Sequence, residues 1–164
     1  MKMKIGLLTV CIILVLFGLT FRVKDEKDDL ISKIEQKKYG ETIFNYMKTE
    51  TYFNAETLKA SPEVKKIKLI LAFYGQNIEK DSVTVYLNQT ISGLNESGQD
   101  VYGSNFPVVY ILEKQKDEYN VTHCEEPRDG SFYQEDIKRM FPKKKFDLLK
   151  KLEGNKITFE EEVE

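Results

Sequence analysis

Between residues 123 and 136 the chain gathers side chains of the kind that build active sites. His123, Cys124, Glu125 and Glu126 stand in succession, Arg128 and Asp129 follow, and Glu135 and Asp136 close the stretch. Paired carboxylates can work as general acid and base. Imidazole, thiolate and carboxylate together can hold a metal. A guanidinium offers a planar fork to an anion. Each group also has a plainer reading. Neighbours on a strand point to opposite faces, so His123 cannot activate Cys124 as a nucleophile. His123 is the single histidine of the sequence, and no HExxH, SxxK, GxSxG or phosphate-binding glycine loop occurs. Asp129 belongs to a turn, and Glu135 and Asp136 belong to the first turn of a helix, where the helix dipole favours acids. No catalytic, cofactor-binding or metal-ligating residue is assigned, and the chain is not read as an enzyme.

What the stretch does suggest is a joint. Asp129-Gly130 suits a turn, because glycine takes positive φ without strain. Ser131 is followed three residues later by Gln134, the pattern of a capping box that opens a helix. Ile137, Met140 and Phe141 form its inward face, and Pro142 stops it. Arg128 is expected either to pair with Glu125, Glu126 or Asp129 or cap a nearby carbonyl, or to present its fork to an anionic ligand or a partner's carboxylate. Pro127, Arg128, Asp129, Gly130 and Ser131 are therefore a candidate interaction or structural motif.

The elements around this joint follow from periodicity. Residues 24–38 read as a short helix, acidic first and basic last, ended by Gly40. Residues 49–59 read as a strand. Ile67, Leu69, Leu71 and Phe73 share one side of a strand, and Val83, Val85 and Leu87 share one side of the next, across a polar turn at 77–81. A long glycine-rich loop is expected from Leu94 to Asn105. Val108, Tyr110 and Leu112 alternate against Val109 and Ile111. A hairpin turn at 115–118 leads to a returning strand with Tyr119, Val121 and His123 on one side. Cys124 reads as a small buried hydrophobe. A second helix is expected to bury Phe146, Leu149 and Leu152 and to end at Gly154. Residues 155–164 form an acidic tail with a short strand. The loop Asn95–Asp100 has acids but not the spacing of a calcium hand.

The chain of 164 residues is 41% hydrophobic and 32% charged, with ten Phe and nine Tyr, which suits one folded domain with an added segment. The added segment comes first. Behind Lys2 and Lys4, residues 5–21 run for seventeen residues without a charge, roughly 25 Å as a helix. They read as a signal-anchor that leaves the C-terminal part outside the cell membrane, or alternatively as a cleaved signal peptide that frees a secreted protein. Val10 before Cys11 does not fit a lipidation box. With residues 1–23 set aside, 22 basic face 27 acidic residues, a net −5 that gives no reason to bind nucleic acid. Lys143–Lys145, Lys150 and Lys151 read as a solvated helix face, with anionic headgroups as the alternative contact.

Residues 103–142 carry a resemblance. Gly103-Ser104 and Pro107 precede an apolar strand, then come Tyr119, the run Pro127–Ser131, Ile137-Lys138 and Phe141-Pro142. The pattern resembles an uncharacterised extracytoplasmic domain of low-GC Gram-positive bacteria. That domain occurs alone with a membrane anchor or as the exported tail of membrane metallopeptidases similar to antibiotic-sensing regulators. The resemblance implies place and architecture and carries over no ligand or catalytic residue. The expected organisation is a signal-anchor or signal peptide at 1–23, an α+β domain at 24–154 and the tail at 155–164. The domain is expected to be an antiparallel sheet of four to five strands with flanking helices, cystatin- or NTF2-like. The expected function is a membrane-tethered binding or regulatory module, partnered by the membrane through residues 5–21 and by a membrane or envelope protein, without cofactor. The alternative is a secreted enzyme using clustered carboxylates.

Overall fold

Alternating apolar residues build a single antiparallel sheet of five strands. The computed structural model describes residues 31–50, 62–152 and 154–163. The signal-anchor or signal peptide expected at 1–23 and most of the strand expected at 49–59 lie outside them. The strands are β1 (Lys66–Glu79), β2 (Ser82–Leu94), β3 (Asp100–Gln115), β4 (Glu118–Glu125) and β5 (Asn155–Glu162), in the order β4-β3-β2-β1-β5. Helix α1 (Lys33–Glu50) lies on one face; α2 (Tyr133–Met140) and α3 (Lys143–Lys151) lie on the other. The class is α+β, as expected.

The first face is closed and mostly apolar, with one buried polar pair in which the Tyr110 hydroxyl donates to Gln89 Oε1 at 2.8 Å. Ile67, Leu69, Leu71 and Phe73 meet Val83, Val85 and Leu87 and, beyond them, Val108, Tyr110 and Leu112, all buried. Tyr39, Ile43 and Met47, one helical turn apart, fill the space above them. Rings on α1 reach both edges of the sheet: Tyr39 meets Tyr119 of β4 edge-on at 5.1 Å, and Phe44 stacks on Phe159 of β5 at 5.3 Å. Since β4 and β5 are opposite edges, the sheet curves around the helix.

Helix α1 departs from expectation. Its start is a capping box at Ser32 and Glu35, each side chain accepting the other's backbone N–H at 3.1 and 3.2 Å. It then runs through Gly40, which does not end it. A Cβ on Gly40 would lie 2.7 Å from Phe159 Cζ, so glycine stands here to admit that ring. Residues 49 and 50 end the helix and do not begin a strand.

The strands are longer than expected and their turns tighter. The first hairpin turns at Lys80-Asp81, and the glycine-rich stretch is strand on both sides of a connection at Asn95–Gln99. Asn95 Oδ1 closes that connection by accepting the N–H groups of Ser97 and Gln99, each at 3.0 Å. Two bulges reset the alternation. Phe73 pairs with Leu87 but Gly75 with Tyr86, so Tyr74 is the extra residue. Ile111 pairs with His123 but Leu112 with Val121, so Thr122 is extra. As a result Cys124, not His123, joins Tyr119 and Val121 against the α1 core, and His123 is exposed. Burial is the main reason the Cys124 thiol is pushed up to about 12.

The second face is covered only in part. Ala72, Tyr74, Tyr86 and Val109 receive Ile137, Met140 and Phe141, as their inward assignment required. Helix α3 differs: Phe146 and Leu149 pack against this cluster, but Leu152 is 69% exposed and Lys145 is buried in its place. Lys145 lies along Gly75, where a Cβ would meet its Cδ at 2.7 Å, and Gly75 also has φ 141. Pro142 separates the two helices. The acidic tail is an edge strand to Glu162, and its acids meet lysines: Glu160 and Glu162 meet Lys66, and Glu161 meets Lys48 at 2.9 Å.

Candidate functional site

The joint at 127–131 is built around a residue outside it. Arg128 donates from Nε to Asp136 Oδ2 at 2.7 Å and from Nη2 to Oδ1 at 2.9 Å, while its backbone N–H reaches Oδ2 at 3.0 Å. The carboxylate is buried, its side chain 2% exposed, whereas the guanidinium is 61% exposed and lies 4.3 Å over the Phe132 ring. Arg139 bridges Asp136 to Glu125. The Arg128 fork, followed by its backbone N–H, holds the Asp136 carboxyl well below the ordinary carboxylate range. The strand end of β4 is thus tied to the first turn of α2.

Several expectations are corrected here. Arg128 pairs with neither Glu125, Glu126 nor Asp129. Asp136 does lie in the first turn of α2, but it is buried and not solvated. Gly130 does take positive φ, 72°, in the turn after Asp129. Ser131 does not cap, however: Gly130–Phe132 is a 3-10 turn, and α2 begins at Tyr133 with no side-chain cap bond. The Tyr133 N–H donates instead to the Gly130 carbonyl, closing the tighter turn. A legible signal for Asp136 existed in its place on the apolar side of α2, next to Ile137 and one turn from Met140.

The other candidates disperse. Glu135 and Asp129 are exposed, and neither is hydrogen-bonded into the Arg128–Asp136 clamp. Among the described residues no group of His, Cys, Asp and Glu is placed to hold a metal. The Asn95–Asp100 loop turns its Asn95 oxygen inward on its own backbone.

A groove that the sequence did not signal lies between α1 and β4. About 530 Å³ in volume, it is lined from α1 by Lys38, Glu41, Asn45 and Thr49 and from β4 by Tyr119 and Asn120 among others. Lys38 closes one end by donating to the backbone carbonyl of Asp117 and lying 5.0 Å over the Tyr119 ring. A second, more open depression of about 480 Å³ runs along the start of β3, at Thr90, Ser92, Asp100 and Tyr102 to Asn105. Neither groove is lined by Glu125, Asp129 or Glu135. Among the described residues no helix is long and apolar enough to cross a membrane. No protein-family model, no curated protein and no solved structure matches this chain.

Proposed function

We propose that the chain is a membrane-tethered extracytoplasmic binding or regulatory module. The observation that carries this reading is the uncharged run of residues 5–21 behind a basic start. The pattern at 103–142, similar to an exported domain of Gram-positive bacteria, supports it. So does the internal use of the conspicuous charges, since Arg128, Asp136, Arg139 and Glu125 serve one another. The polar groove between α1 and β4 supplies a surface on which such a module takes a membrane or envelope protein. In this reading the sheet curved around α1 is a cystatin- or NTF2-like arrangement.

The test uses cells stripped of their wall and a tag after Glu164. External protease is expected to remove the domain from intact protoplasts while a cytoplasmic marker survives. Protection of the domain until the membrane is dissolved defeats the topology. Sequencing the N-terminus of the membrane fraction separates an anchor, which keeps Met1, from a cleaved signal peptide.

A further inference from the structure

Charge is unevenly distributed along the folded part. Residues 138–156 hold eight basic and two acidic residues, a net +6, whereas the remainder of 31–164 holds twelve basic and twenty-one acidic, a net −9. Helix α3 is the centre of the basic segment. Lys143, Asp147, Lys150 and Lys151 fall at i, i+4, i+7 and i+8, one helical face, and all are exposed together with Lys144. The opposite face packs on the sheet through Lys145, Phe146 and Leu149. At the end of the helix Leu152 takes φ 56 and is 69% exposed beside Lys151. A basic face with an apolar residue at its rim matches the chemistry of a lipid surface, where headgroup phosphates take the lysines and a leucine enters the interface.

We propose that the exposed face of α3 docks the domain on anionic lipid headgroups. The proposal rests on the membrane-tether reading: ten steps of chain from Phe21 to Ile31 reach at most about 35 Å, which holds the domain near the bilayer. With α3 on the bilayer, α1, which packs on the opposite face of the sheet, is turned away from it.

The experiment takes the full chain in nanodiscs of neutral phosphatidylcholine and in discs containing phosphatidylglycerol, and reads lysine acetylation rates by mass spectrometry. In anionic discs Lys143, Lys150 and Lys151 are expected to react several-fold more slowly. Lys37, on α1, keeps its rate. About 0.5 M salt is expected to abolish the difference. The pair Lys150→Gln and Lys151→Gln is expected to release Lys143, with roughly a fivefold loss of docking per lysine; circular dichroism checks that the variant is folded. Equal rates in the two discs overturn the proposal. Protection found only in native membranes, and not in anionic discs, assigns the surface to a protein and also overturns it. A chain that stays with neither disc refutes the tether instead; docking is then decided by whether the same chain sediments with anionic but not neutral vesicles.

Discussion

The two faces of the sheet are held by different means. On the α1 face the helix sits within a curved sheet and every inward residue from Tyr39 to Met47 along one stripe is buried among apolar side chains. On the α2–α3 face the apolar cluster is smaller, and a buried carboxylate, a buried lysine and a bulge at Gly75 complete the packing. The contrast shows one sheet drawing on two kinds of stabilisation. The first is mainly non-directional and depends on filled volume, the Tyr110–Gln89 hydrogen bond aside. The second is directional, depends on charge and geometry, and responds to pH.

Matched truncations test the contrast most severely. Ile43→Ala is expected to cost about 2–5 kcal/mol in urea unfolding, because the enclosed site cannot collapse. Ile137→Ala is expected to cost clearly less, since the open margin of the second face can relax. Equal losses would break the comparison.

The Arg128–Asp136 clamp should give a slope instead of a single figure. The folded Asp136 carboxyl lies below its ordinary value of about 4, so its contribution is present above pH 4 and is lost as pH falls through the folded value. Urea melts from pH 5 to pH 2 should show wild type losing more stability than Asp136→Asn, with the two curves converging in acid. Arg128→Lys keeps the charge and loses the fork, and is expected to lower the melting temperature at pH 7. Parallel acid limbs for wild type and Asp136→Asn would remove charge from the account of the second face.

Gly40→Ala sharpens the description of the first face. Helix propensity favours the change by about 1 kcal/mol, but the added Cβ meets a ring already stacked on Phe44. Overpacking typically costs about 1–3 kcal/mol, so the net is expected to be destabilising by about 1 kcal/mol. Adding Phe159→Leu should recover the propensity gain. A single variant more stable than wild type would mean that the ring moves freely.

The last pair lies at the joint. Gly130→Val is expected to cost about 1–2 kcal/mol through φ alone, because nothing beyond its chain neighbours lies within 4 Å of the Cβ position. Ser131→Ala should change stability by less than about 0.5 kcal/mol, as its hydroxyl serves no helix N–H. A loss near 1 kcal/mol for Ser131→Ala would restore the capping box.

These positions also show how far the sequence could be read. Alternation marked the faces of β1, β2 and β3 correctly because side-chain period is a local property. Gly40 was misread as a stop because the reason for it, Phe159, lies on a distant strand. The same serine signal formed a capping box at Ser32 and failed at Ser131, where a 3-10 turn intervenes. His123 and Cys124 exchanged faces because a bulge adds one residue that no pattern of hydrophobicity announces. Of the joint, the turn at Gly130 was legible, whereas the partner of Arg128 was hidden by a convention that acids early in helices are solvated. The α1–β4 groove depends on side chains brought together from separate elements and left no mark in either.

The place of β5 bears on the order of assembly. Lys66 meets Leu94 on one side and Glu162 on the other. The first neighbour arrives with the adjoining hairpin; the second arrives only after most of the domain has been made. During synthesis β1 therefore waits with one flank of backbone donors and acceptors uncovered, the kind of template that recruits foreign strands. The lysines facing that flank, Lys66 and Lys68, can discourage intruders until Glu160 and Glu162 replace water beside them. Pairing with a distant strand is a long-range step of the slow kind, so a nascent chain stalled before residue 155 would be the form most in need of a chaperone.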